Sequence, residues 1–145
     1  MTAVNNNSII LYRYLRALSV KISRSTVHRL LDSPAENSLR GISDALDALY
    51  IKNEVHHFPP LYDYFLLLNT PFITMLKADE EPLCVVTKKD DFIVEFRNAK
   101  GEKHYIRASQ FLNKWTGTVL FGEPTKSTPS ESFYMWKNLS YYLSF

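Results

Sequence analysis

The first fifty residues carry a helical pattern. In residues 7–18, Leu11, Leu15 and Leu18 recur at helical spacing with Arg13 and Arg16 off the stripe. That spacing predicts an amphipathic helix, which Asn7 or Ser8 can cap by accepting a hydrogen bond from a free backbone N–H. A second short helix is predicted over Ser25–Leu31, burying Val27, Leu30 and Leu31. Ser33-Pro34-Ala35-Glu36 has the form of a capping box with proline at the first helical position. A third helix is predicted from Asn37 or Ser38 to about Tyr50, with Leu39, Ile42, Leu46 and Leu49 inward and Arg40, Asp44 and Asp47 outward.

After Tyr50 the pattern changes. Ile51 to His56 reads as a short strand, broken by His57-Phe58-Pro59-Pro60. Pro60 can open a helical turn through Leu61, Tyr64, Phe65 and Leu68. Strand patterns follow at Phe72–Leu76, Leu83–Lys88, Phe92–Arg97 and Lys103–Ile106. The first is apolar on both faces, which predicts a central strand. In the third, Phe92, Val94 and Phe96 alternate with polar residues, as on a half-covered strand. Asn98-Ala99-Lys100-Gly101 is a turn signal, with Gly101 free to take positive φ. Ala108 to Trp115 predicts a short helix and Val119 to Phe121 a closing strand. Helices first and a mainly antiparallel sheet second define an α+β domain rather than a βαβ parallel sheet.

Composition narrows the function. A chain of 145 residues with 46% hydrophobic and 22% charged residues is a globular domain of ordinary make-up. No apolar run is long enough to span a bilayer, and no signal peptide opens the chain. One cysteine excludes an intrachain disulfide framework and a multi-cysteine zinc site. The net charge of +2 is too mild to argue for nucleic acid. Its distribution is uneven, since Arg13, Arg16, Lys21, Arg24 and Arg29 all precede the first acidic residue, Asp32. A charge run is ordinarily a solvated face. The sharper alternative is a face that meets phosphates on lipid or nucleic acid, and no aromatic–basic recognition motif supports the nucleic-acid version. No nucleic-acid partner is therefore expected. Residues 124–132 read as a linker. Residues 133–145 hold Phe133, Tyr134, Trp136, Tyr141, Tyr142 and Phe145 beside Lys137, in the manner of a terminal helix docked on the domain or of an approach to a membrane. The chain stops within that apolar stretch, so a longer parent chain is expected.

Candidate chemistry is sparse. Cys84 sits inside Leu83-Cys84-Val85-Val86, a buried-strand pattern in which a thiol packs as a small hydrophobe. His28, His56, His57 and His104 show no metal-ligand spacing, and the adjacent His56 and His57 face opposite ways on a strand. Neither a nucleophile elbow nor a Walker or dinucleotide loop occurs. Asp79-Glu80-Glu81 and Asp90-Asp91 lack the spacing of a calcium loop and read as solvated turns. No metal and no cofactor are expected.

Three segments together carry a resemblance. They are Ser38-Leu39-Arg40-Gly41-Ile42-Ser43-Asp44-Ala45-Leu46; Pro71-Phe72-Ile73-Thr74-Met75-Leu76 followed by Cys84-Val85-Val86; and Phe111-Leu112-Asn113-Lys114-Trp115-Thr116-Gly117-Thr118-Val119-Leu120. Their order and spacing resemble the bacteriocin-processing cysteine peptidases, or double-glycine leader peptidases (family thirty-nine of the cysteine class). The resemblance covers about residues 5–123. It implies a papain-like fold, with an N-terminal helical half packed on a C-terminal antiparallel sheet. The expected organisation is a peptidase-like domain over residues 1–123, the linker, and the aromatic tail. The wording of "ISDAL" is similar to a branch found in Bacteroidetes-type bacteria, fused to membrane-embedded vitamin K epoxide reductase-like domains.

The resemblance also implies where catalytic groups would stand. The family's nucleophilic Cys falls at about Asn6, its His at Leu83 and its Asp at Asn98, while the Gln of its oxyanion hole falls ahead of Met1. All three positions within the chain are replaced, so these residues are candidates for a binding cleft and not for catalysis. The function implied is a non-proteolytic peptide-binding or regulatory module at the N-terminus of a bacterial membrane protein, either an exporter or a thiol oxidoreductase. It would work at the cytoplasmic face of the inner membrane. Its partners would be a leader-like or other extended peptide and the membrane domain of its own parent chain. Two alternatives remain open: a cysteine hydrolase using Cys84 with a histidine such as His104, and a scaffold meeting partners through Tyr12, Tyr62 and Tyr64.

Overall fold

The computed structural model describes residues 6–31, 39–77 and 82–129. The Ser33–Glu36 capping box, the Asp79–Glu81 patch and the 133–145 tail lie outside the described residues. Within them, helices α1 (Asn6–Ala17), α2 (Arg24–Leu30) and α3 (Leu39–Ala48) precede strand β1 (Ile51–His57). The short helix α4 (Tyr62–Leu66) leads to β2 (Phe72–Leu76), β3 (Leu83–Lys89), β4 (Ile93–Asn98) and β5 (Lys103–Arg107). Helix α5 (Ala108–Lys114) and strand β6 (Trp115–Pro124) follow.

The strands form one six-stranded sheet in the order β1-β6-β2-β3-β4-β5, antiparallel at every pairing. The last strand thus inserts between the first and second. β2 is central, as its two-faced apolar pattern requires, and Phe72, Ile73 and Thr74 are all buried.

The sheet has a core on each face. On one, Ile10, Leu11, Tyr14 and Leu15 of α1, Val27 of α2 and Ile42, Ala45 and Leu46 of α3 pack against Ile51, Ile73, Leu83, Val85, Ala99 and Leu120. On the other, Phe65 of α4 and Ala108 and Phe111 of α5 pack against Phe72, Cys84, Val86, Val94, Phe96, Trp115 and Val119. Side-chain alternation along each strand sends neighbouring residues into different cores. That alternation decides which residues can share a site.

Most boundaries differ from the sequence pattern by a residue or so, as at β1, which includes His57, and two differences carry a physical reason. β4 starts at Ile93, and Phe92 is 76% exposed. The turn before it takes Phe92 out of the strand, because the backbone N–H groups of Phe92 and Ile93 both donate to Asp90 Oδ1 at 2.8 Å. β6 begins at Trp115 instead of Val119. Trp115, Gly117 and Val119 are inward with Thr116 and Thr118 between them, a period-two pattern that Gly117 obscures in sequence. The start of the expected linker is tied down: Thr125 Oγ1 and Thr128 Oγ1 donate to the carbonyl of Tyr50 at 2.6 and 2.8 Å.

Gly117 explains the most specific motif of the third resembling segment. Its φ is +88°, and a Cβ there would lie 1.9 Å from the carbonyl oxygen of Phe58. Phe58 N–H donates to the Gly117 carbonyl at 2.8 Å, so the two backbones are locked at close approach. Gly101 takes φ +82° in the β4–β5 turn, as the turn signal requires.

Candidate functional site

Helix α1 covers the face of the sheet that carries Leu83 of β3. Helix α1 starts at Asn6, and Asn7 is buried. Leu83 opens β3 and is buried in the core that α1 covers, beside Ala99 and Val85. The β4–β5 turn closes against the same end of the helix, where the Cβ position of Gly101 lies 3.4 Å from Ile9 Cγ2. The face of β3 and β4 turned toward the helical half is therefore apolar at Leu83 and Ala99, with Arg97 next along the strand.

Asn98 does not share that face. In the β3–β4 register Cys84 pairs with Asn98 and Val85 with Arg97, so Asn98 lies on the Cys84 side and Leu83 on the other. The Asn98 side chain instead fastens the hairpin. Its Oδ1 accepts from the backbone N–H groups of Lys100 and Glu102 at 2.9 and 3.0 Å. Its Nδ2 donates to Glu102 Oε1 at 2.8 Å and to His104 Nε2 at 3.0 Å. An aspartate could make the first two bonds and accept from a protonated His104 Nε2, but it could not donate to Glu102, since an ionised carboxylate has no donor.

Cys84 is 2% exposed and lies in the second core. Burial pushes its thiol pKa far above the ordinary range, which holds it as the neutral thiol. His104 shares its face but sits two strands away, stacked on Phe96 with ring centroids 5.3 Å apart, and its Nε2 is taken by Asn98. Sulfur and imidazole are thus not partnered. The other histidines are surface groups: His56 Nε2 lies 3.2 Å from Glu54 Oε2 and His57 Nδ1 lies 3.0 Å from Thr118 Oγ1. Among the described residues, no group of three His, Cys, Asp or Glu side chains could hold a metal.

Adjoining the start of α1 is an open groove of about 500 Å³ between α1, α2 and the β4–β5 turn. Ser8, Ile9, Tyr12 and Arg13 line it from α1, Arg24, Ser25 and His28 from α2, and Lys100 and Gly101 from the turn. Tyr12, expected as an exposed contact residue, is half-buried beneath two guanidinium groups: Arg24 lies 4.7 Å and Arg16 5.8 Å from its ring centroid. Tyr62 and Tyr64 are exposed as expected.

The architecture defines a class first: this is an α+β, papain-like peptidase-domain fold, a helical half on an antiparallel sheet. No family model and no curated protein sequence matches the chain, while solved structures do. The chain is similar to the peptidase domain of Streptococcus ComA, a bifunctional ABC transporter of a quorum-sensing pathway. That match has a TM-score of 0.68 at 16% identity, covering 86% of this chain and 96% of the other. It is similar to a double-glycine-motif protease from an AMS/PCAT transporter, solved in complex with the leader peptide. There the TM-score is 0.70 at 12% identity, over 86% of this chain and 89% of that one. It is also similar to the N-terminal peptidase C39-like domain of a toxin-secretion ATP-binding protein from Vibrio parahaemolyticus, with a TM-score of 0.59 at 17% identity, over 86% and 99%. No helix of the described residues is long and apolar enough to cross a membrane.

Arg97 and Ala99 were missed by sequence reasoning. Placing them beside Leu83 requires the strand register, which a one-residue displacement inverts.

Proposed function

We propose that this chain is a non-proteolytic, peptide-binding domain built on the peptidase plan. The observation that carries the reading is that its one thiol, Cys84, is buried on the sheet face turned away from α1. Covalent acyl transfer at the start of α1 needs a thiolate there and a base on β3. Asn6 supplies no thiolate and Leu83 accepts no proton. Members of such a unit act together, so losing nucleophile and base removes the reaction. The missing carboxylate does not depend on which residue matches the family's Asp, because Arg97, Asn98 and Ala99 all lack one.

A working hydrolase built from Cys84 and His104 is disfavoured on two counts. Burial opposes the thiolate, and the imidazole is held by Asn98. The neighbour solved with a leader peptide supports an extended peptide as the ligand. Likeness to domains of ABC transporters supports a parent membrane protein and a place at the cytoplasmic face of the bacterial inner membrane. That parent is an exporter or, on the sequence resemblance, a vitamin K epoxide reductase-like thiol oxidoreductase.

The test is incubation of the purified protein with a double-glycine leader peptide, read by mass spectrometry for cleavage and by calorimetry for binding. Binding with the peptide left intact is expected. Cleavage that disappears in Cys84→Ala would overturn the reading, and so would failure to bind.

A further inference from the structure

The groove beside α1 carries a charge pattern that the fold alone does not require. Arg13, Arg24 and Lys100 line it; Arg16 leans over Tyr12 at its edge, and Arg97 anchors the floor of the turn through a 2.9 Å bond from Nη1 to the Gly101 carbonyl. The ion pairs among the described residues are His56–Glu54 and His104–Glu102, and neither includes an arginine or a lysine. Glu102 is the acid nearest Lys100 in sequence. Its carboxylate is bound by Asn98 Nδ2 and faces His104; it feels the Lys100 charge but forms no ion pair with it. Arg13 is pressed by its surroundings: burial first, then the charges of Arg97 and Arg24, lower its pKa. Like charges gathered in a recess repel one another, and a bound anion relieves that repulsion.

We propose that this groove docks an acidic peptide segment, whose carboxylates meet Arg13, Arg24 and Lys100 while its chain lies along Ile9 and Tyr12. Guanidinium groups take carboxylates in a two-pronged fork, and the apolar wall suits the methylenes of glutamate. The recess between two helices and a turn favours a narrow chain over the flat surface of a bilayer. The inference extends the peptide-binding reading to a second contact and rests on it for the choice of a peptide over other anions.

The experiment is calorimetric titration of the intact chain with hexaglutamate, with hexaglutamine as the uncharged control. Hexaglutamate is expected to bind and hexaglutamine not to bind. Affinity is expected to fall about tenfold or more between about 50 mM and about 300 mM salt. It is expected to fall about tenfold or more in Arg24→Gln/Lys100→Gln, both exposed positions, with thermal unfolding of the double variant followed alongside to show that it is folded at the titration temperature. Lys52→Gln, on β1, is expected to bind as the parent does. Absence of hexaglutamate binding, or binding indifferent to the double substitution, would overturn the proposal. So would vesicles of phosphatidylserine and phosphatidylcholine that bind through Arg24 and Lys100 where hexaglutamate does not. A leader peptide without acidic residues separates the two readings. If it fails to bind while hexaglutamate binds, the earlier reading fails and the acidic groove stands; the reverse result removes the groove alone.

Discussion

Cys84 is the most informative single atom to perturb. It lies mid-sheet, with Thr74 of β2 as its partner on one side and Asn98 of β4 on the other. At 2% exposure, no reagent reaches its sulfur in the closed state. Burial also holds the thiol neutral, so even an adventitious contact finds no nucleophile. Reaction must pass through opening of β3; Cys84 is the second residue of that strand, but it is paired on both edges, with Thr74 and with Asn98, and packed in the second core. The opening free energy is then close to that of global unfolding. Domains of this size unfold with roughly 5–15 kcal/mol. Taking the lower end, about 5 kcal/mol at 1.36 kcal/mol per decade, labelling is slowed about 5,000-fold relative to the unfolded chain. The assay is disulfide exchange with an aromatic disulfide reagent at neutral pH, followed by absorbance, in buffer and in concentrated guanidinium. Native labelling within about tenfold of the unfolded rate would refute the reasoning, because it would require an accessible thiolate, as a hydrolase does. Cys84→Ala serves as the companion variant. It removes one sulfur from a packed core and is expected to cost about 1–2 kcal/mol while leaving peptide binding unchanged.

Other outcomes follow from the same structure. Gly117→Ala is expected to destabilise by about 3–5 kcal/mol in denaturant titration, because positive φ and the 1.9 Å approach to the Phe58 carbonyl leave no room for a methyl; a loss below about 1 kcal/mol would contradict the locked backbone contact. Tyr14 accepts the Gly122 N–H at 2.5 Å, and burial pushes its pKa up to about 12. The folded state prefers the neutral phenol, so this stability is complete below the unfolded pKa near 10 and is lost as pH rises toward about 12. Relative to Tyr14→Phe, the wild-type chain should lose roughly 2–3 kcal/mol across that window, and parallel stability curves for the two proteins would remove the phenol as the cause. Tyr14→Phe itself is expected to cost about 1–2 kcal/mol at neutral pH by orphaning the Gly122 N–H.

Much of the element order was legible in the chain. Phe72–Leu76 and the β-branched runs at Leu83 and Ile93 have the right period, and helices α1 to α3 show their apolar stripes. The family-like fold was legible through Gly41-Ile42 and the Trp115-Thr116-Gly117 segment, and Gly117 proves to be an architectural residue. Less legible was which groups share a face. Asn98 and Leu83 look like neighbours in an aligned motif, yet the pairing of Cys84 with Asn98 sends them to opposite sides, next to a register shift between Val86 and Lys88. The basic groove was half visible. Arg13 and Arg24 stand out in sequence, while Lys100 joins them, and Arg97 comes near enough for Arg13 to feel its charge, only when the β4–β5 turn folds back onto Ile9.

The central claim is that peptide recognition persists where the reacting groups are gone. Its most direct test is an isotope-edited amide spectrum of the labelled protein titrated with a double-glycine leader peptide. The account predicts saturable shifts centred on Asn7 to Tyr12 and on Leu83 and Ala99, with the peptide recovered whole at the end. Shifts scattered over the exposed aromatics around Tyr62 and Tyr64, or a spectrum that becomes that of two cleaved fragments, would contradict it.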